Sequence, residues 1–164
     1  MNVILKRQKI QAADNDVPII LVVEDRHDNL VLISHILIYL NYNFVTVSKG
    51  IDALELATRY EIDLVLLDLV LPDISGFEVI ERLRKHILTK NMPIVAISAL
   101  ATEKDRDRAI KAGCNDYLTK PYLIDDLKHK IQQQLPKSFL KQTLTQIMKF
   151  SRHFYDKPLI LNTF

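Results

Sequence analysis

The residues with the most chemistry in this chain stand just past short apolar runs. Glu24 and Asp25 follow Ile19–Val23, Asp68 follows Leu64–Leu67, Ser98 follows Ile94–Ile97, and Lys120 lies two residues beyond Asn115–Leu118. Three carboxylates gathered in one pocket repel each other, and a divalent cation relieves that repulsion. An all-oxygen donor set without nearby His or Cys favours Mg²⁺ over Zn²⁺, and Mg²⁺ characteristically keeps waters and shares a few carboxylates with a phosphoryl oxygen. Lys120 supplies a point charge suited to phosphate, and Ser98 supplies a hydroxyl donor. In that setting Asp68 is a candidate nucleophile towards phosphorus, forming an aspartyl phosphate.

These residues can meet only if the chain gathers them. Ile19–Val23, Phe44–Val47, Leu64–Leu67 and Ile94–Ile97 show no polar alternation, as expected of strands covered on both faces, and Asn115–Leu118 is a weaker fifth candidate. Helical-period segments separate them. Leu30, Ile33, Leu37 and Leu40 share one stripe, Ala53, Leu54 and Ala57 a second, and Phe77, Ile80, Leu83 and Arg84 a third, with Ser75 as its cap. Ala109, Ile110 and Ala112 mark a fourth helix ending at Gly113, and Leu123–Leu135 a fifth. Five strand–helix pairs imply an α/β fold, a doubly wound parallel sheet with helices on both faces. Such sheets carry their sites at the carboxyl ends of the strands, near the switch in strand order.

The pattern Glu24-Asp25, Asp68-Leu69-Val70-Leu71-Pro72 with Gly76, Ser98-Ala99, and Tyr117-Leu118-Thr119-Lys120-Pro121 resembles the receiver domain of two-component response regulators. The resemblance covers residues 18–135 and implies the five-stranded flavodoxin-like fold. It implies that Asp68 is the phosphoacceptor, and that Glu24, Asp25, Asp68 and the Val70 backbone carbonyl hold Mg²⁺. It further implies that Ser98 turns towards the phosphoryl group, that Lys120 pairs with it, that Tyr117 changes exposure on activation, and that the bond preceding Pro121 is cis. The partners implied are a sensor histidine kinase or phosphotransfer protein, a downstream protein target, and a second copy on the face of the fourth and fifth helices. Such a domain catalyses its own phosphorylation and dephosphorylation and is no metabolic enzyme. Glu at position 24 and Ser at position 98 are family variants of Asp and Thr. Val70 sets an apolar side chain beside the phosphate.

Two other readings remain. A receiver-shaped module could bind partners without phosphorylation. A haloacid-dehalogenase-type phosphatase also uses an Asp after a strand, but Asp68-Leu69-Val70 lacks the second Asp that would act as general acid.

The 164-residue chain is 48% hydrophobic and 26% charged, an ordinary balance for a globular protein. Its +2 charge is uneven: residues 136–164 carry +4, residues 1–17 carry +1, and the middle is acidic. That distribution does not suggest a nucleic-acid-binding core, and about 29 residues after the fifth helix are too few for a three-helix DNA-binding domain. Cys114 is the single cysteine and is read as a small packing group. His27, His35, His86, His129 and His153 do not cluster, although His27 and Asp28 lie next to the acidic pair. No apolar run is long enough to span a bilayer, and the N-terminal residues lack a secretory leader pattern, so the cytoplasm is the expected location. Residues 1–17 read as an N-terminal tail. Residues 136–164 read as a basic extension, partly helical through Phe139, Leu140, Leu144, Ile147 and Met148.

Overall fold

The structure is a computed structural model that describes residues 17–136. The tail expected over residues 1–17 and the extension expected over 136–164, with its apolar stripe, therefore lie almost wholly outside the described residues. The chain alternates strand and helix throughout: β1 (Ile19–Val23), α1 (His27–Tyr39), β2 (Asn43–Val47), α2 (Gly50–Arg59), β3 (Leu64–Leu67), α3 (Gly76–Lys85), β4 (Ile94–Ser98), α4 (Glu103–Ala112), β5 (Asp116–Thr119) and α5 (Ile124–Gln134). All strand pairings are parallel, in the order β2-β1-β3-β4-β5. The order reverses at β1, which pairs with both β2 and β3. No helix among the described residues is long and apolar enough to cross a membrane.

The missing polar alternation has its cause in two cores, one on each face of the sheet. Leu21, Val23, Val65, Leu67 and Ala96 point to the face covered by α2 and α3; Ile20, Val22, Leu64, Leu66 and Ile97 point to the face covered by α1 and α5. Every side chain of β3 is at most 1% exposed, and burying each such Leu or Val contributes about 1.5–3 kcal/mol.

Helix ends are fixed partly by local caps and partly by distant ones. Ser75 accepts the Glu78 N–H at 3.3 Å and Thr102 the Asp105 N–H at 3.2 Å. Lys49 at the head of α2 offers no side-chain cap. Asp73, from the loop after β3, instead accepts the N–H groups of Gly50 and Ile51, both at 2.9 Å. Gly113 ends α4 with φ 112°, a left-handed turn that glycine adopts freely. Its carbonyl accepts Arg84 Nε at 2.7 Å, while the same guanidinium reaches the Met92 carbonyl and the Asn115 side chain, each at 2.8 Å. Arg84, expected only as a periodic position on α3, thus ties that helix to the two corners that lead into β4 and β5.

One helix departs from expectation. On α4 only Ala109 is buried, and Ile110 is 44% exposed. The apolar triplet expected there does not form a core stripe. The helix is held by Ala109 and the partly buried Ala112 against the core, by its two caps, and by Arg108, whose guanidinium stacks 4.1 Å from the Phe77 ring centroid. The fifth strand also runs to Thr119, so Lys120 follows it directly instead of lying two residues beyond.

Candidate functional site

Glu24, Asp68 and Lys120 each sit one rung past the end of their strand because the ladder continues for one more bond, while Ser98 is the last residue of β4 itself. The Glu24 N–H donates to the Val47 carbonyl at 3.0 Å, the Asp68 N–H to Val23 at 2.9 Å, and the Lys120 N–H to Ser98 at 2.9 Å. The backbone therefore sets the acidic pair, the isolated acid and the lysine at a common edge, beside the point where strand order reverses.

There the side chains converge. Lys120 Nζ lies 2.5 Å from Glu24 Oε2 and 2.5 Å from Asp68 Oδ2. Glu24 is 2% exposed and Asp68 7% exposed, whereas Asp25 faces solvent. Two buried carboxylates share this one ammonium, so taking the lysine away would leave buried charge without compensation. The second oxygens are also engaged: Asp68 Oδ1 accepts the Val70 N–H at 2.9 Å, and Glu24 Oε1 accepts Asn29 Nδ2 at 3.0 Å and the Arg26 N–H at 3.2 Å.

Glu24, Asp25 and Asp68 each present a carboxylate oxygen within 4.8 Å of the others. Three oxygen donors at that spacing, with no nitrogen or sulfur among them, suit a hard divalent cation with room left for waters and a phosphoryl oxygen. The residues present thus fit Mg²⁺ on donor chemistry alone.

Two glycines let the loop after β3 approach so closely. A Cβ on Gly76 would come within 2.6 Å of the Asp68 carbonyl oxygen and of Leu69 Cα, and a Cβ on Gly50 within 2.6 Å of the Ile74 side chain.

Ser98 is fully buried, and its Oγ accepts the Leu100 N–H at 3.3 Å. Tyr117, 7% exposed, turns its hydroxyl towards the Leu100 carbonyl and donates to it at 2.5 Å. Burial pushes the Tyr117 phenol above its ordinary value, against an opposing hydrogen bond from Ser98. The Lys120–Pro121 peptide bond is cis. Val70 leaves its side chain 57% exposed beside the acids.

Three participants are absent from the sequence reading: Asn29 behind Glu24, Asp73 behind α2, and Tyr122. Burial, with the charges of Glu24 and Asp68, raises the Tyr122 phenol to about 12, so the field of the acidic pocket reaches it. Its place beside Pro121 was the available signal. For Asn29 the signal was its position five residues past the first acid, where a helix begins. His27 and Asp28 stay exposed at the start of α1.

Comparison with known proteins agrees with this geometry. The family described as response regulator receiver domain matches residues 20–132. The polar-differentiation response regulator DivK of Brucella ovis is 30% identical over 116 residues, spanning 71% of this chain and 94% of that protein. A probable cyclic di-GMP phosphodiesterase of Vibrio cholerae is 34% identical over 125 residues, but the chain spans only 28% of its length, so its phosphodiesterase name describes a much longer protein. Among solved structures, the receiver domain of the sensor histidine kinase PA1611 from Pseudomonas aeruginosa PAO1, with a magnesium ion in its active-site cleft, superposes with a TM-score of 0.68. It is 34% identical and the match covers 72% of this chain and 97% of that one. The five-stranded parallel sheet, its switch point and the acids collected beside it are those of the family that the comparison finds: this chain belongs to the response regulator receiver domains.

Proposed function

We propose that the chain is a phosphorylation switch in which a sensor histidine kinase or phosphotransfer protein gives a phosphoryl group to Asp68. The observation that carries this reading is the Asp68 carboxylate, buried at the exit of β3 and joined through Lys120 to the acidic pair of the neighbouring strand. An Asp68 oxygen forms the new bond to phosphorus, the bond from phosphorus to the donor's imidazole breaks, and its electron pair returns to the donor. Bound at Glu24, Asp25, Asp68 and the Val70 carbonyl, Mg²⁺ supplies positive charge against the carboxylates and the incoming phosphoryl oxygens.

Lys120 already contacts Asp68, so it can move to a phosphoryl oxygen without a long search. Ser98 stands at the end of the adjacent strand and can offer its hydroxyl to the same group. Rotating Ser98 Oγ towards the phosphoryl group would loosen the hydrogen bond that it accepts from Leu100, and Leu100 is where Tyr117 is tied. The loop after β4 is thus the element that phosphorylation biases, and its altered face changes affinity for a protein target. The acidic pocket supports this over constitutive binding. The receiver proper spans residues 18–135, signals from its own surface in the cytoplasm, and offers the α4–α5 face to a second copy.

Incubation with Mg²⁺ and acetyl phosphate, followed by intact mass, is the test. Wild type gains one phosphoryl group and Asp68→Asn gains none. An undiminished adduct in Asp68→Asn, or partner affinity indifferent to phosphorylation, would return the chain to the constitutive reading.

A further inference from the structure

Glu24 differs from its neighbour Asp25 by one methylene and one more rotatable bond, and yet it is the acid that holds Lys120. A buried carboxylate with that extra freedom must be fixed by something other than the lysine. Its Oε2 pairs with Lys120, and its Oε1 accepts one side-chain hydrogen bond, from Asn29 Nδ2 at 3.0 Å, with the Arg26 N–H at 3.2 Å beside it. A carboxylate only accepts, so the amide of Asn29 must present its NH₂ group there. Asn29 is itself fixed, because it lies in the first turn of α1, closed by the Leu30 N–H donating to the Arg26 carbonyl at 3.0 Å.

We infer that Asn29 is a positioning residue of the phosphorylation site: it locks Glu24 so that Lys120 keeps a second anchor when it leaves the Asp68 carboxylate. The inference rests on the reading of Asp68 as phosphoacceptor. Without Asn29, Glu24 Oε1 retains only the backbone bond and the carboxylate can turn from Lys120. The lysine is then held chiefly by Asp68, the very group that must attack phosphorus. Residues that orient a ligand from behind are worth about 10–100-fold in affinity or activity.

The test is a double-mutant cycle between Asn29→Ala and Glu24→Asp. It reads the initial rate of phosphoprotein formation from acetyl phosphate, and Mg²⁺ affinity by titration calorimetry. Asn29→Ala is expected to slow phosphorylation about 10-fold and to weaken Mg²⁺ binding, with Asn29→Gln restoring part of the loss. In the Glu24→Asp background the shorter acid no longer reaches position 29, so Asn29→Ala should cost little more. Asn29→Asp keeps the shape but replaces the donor with a second acceptor, setting two carboxylates against each other; it should also slow the reaction even where its urea midpoint matches wild type. Wild-type rate and Mg²⁺ affinity in Asn29→Ala would overturn the inference. So would an equal loss in the Glu24→Asp background, which would mean that Asn29 acts on the start of α1. If wild type itself takes no phosphoryl group, the proposed function fails separately, and the Mg²⁺ titrations still decide the role of Asn29.

Discussion

The Tyr117 hydroxyl donates to the Leu100 carbonyl, joining β5 to the loop that follows Ser98. That bond holds an exposed connection against a buried ring. Tyr117→Phe removes it while keeping the ring, and should lower stability by about 1 kcal/mol. Amide exchange should accelerate at 100–102 and stay unchanged in β1 and β3. Hydrogen exchange with urea denaturation measures both; an unaltered loop would show that the bond does not restrain it.

Lys120 stands between two buried acids, and its removal should make stability depend more strongly on metal. Lys120→Ala leaves Glu24 and Asp68 without their cation, and breaking a buried pair in this way costs about 3–5 kcal/mol. Added Mg²⁺ should recover part of that loss, so the metal-induced rise in Tm should be larger in Lys120→Ala than in wild type. A thermal melt with and without Mg²⁺ checks it, and an equal rise in both proteins would count against a shared site.

Asp73 predicts a pH dependence of known sign. Burial pushes its carboxyl up, but the backbone N–H groups of Ile51, Gly50, Ile74 and Asp73 itself together outweigh that and leave it below the ordinary value. A folded-state value lower than the unfolded one means stability that is present above the unfolded carboxylate range and lost as pH falls through the folded value. Asp73→Asn keeps one acceptor oxygen and loses the other, and should therefore be less stable than wild type by about 1 kcal/mol at neutral pH, as for loss of one hydrogen bond. The gap should stay flat from pH 7 to pH 5 and close as pH drops below about 4. Urea denaturation across that range measures it.

Gly76→Ala tests how close the loop after β3 must come. The added methyl would meet backbone atoms of residues 68 and 69, which cannot rotate away as a side-chain tip could. The expected cost is about 1–3 kcal/mol, together with a lower phosphorylation rate because Asp68 itself is displaced. Circular dichroism melts and acetyl phosphate kinetics report the two effects.

The strands were legible because a doubly covered strand must be apolar on both sides, and Leu64–Leu67 leaves no alternative. The acids, serine and lysine were legible as a group because a parallel sheet brings strand ends to one edge. What sequence could not show was hydrogen bonding between distant segments. Nothing near Lys49 announces that Asp73, over twenty residues later, caps α2. Nothing near Arg84 announces its acceptors in two later corners. The fourth helix misled in the opposite direction: Ile110 has the spacing of a core residue, but α4 is secured at its ends and leaves that side chain in water.

That manner of attachment has a mechanical consequence. A helix buried along a stripe can turn about its axis only by uncovering several large side chains. One secured by Thr102, Gly113, a single stacked arginine and two small alanines, Ala109 and Ala112, uncovers no large side chain when it turns. Helix α4 is therefore the soft member of the frame, attached to a loop that starts at Ser98, while Arg84 keeps the far edge stiff. A change beside Asp68 therefore meets the least buried apolar surface to uncover at α4.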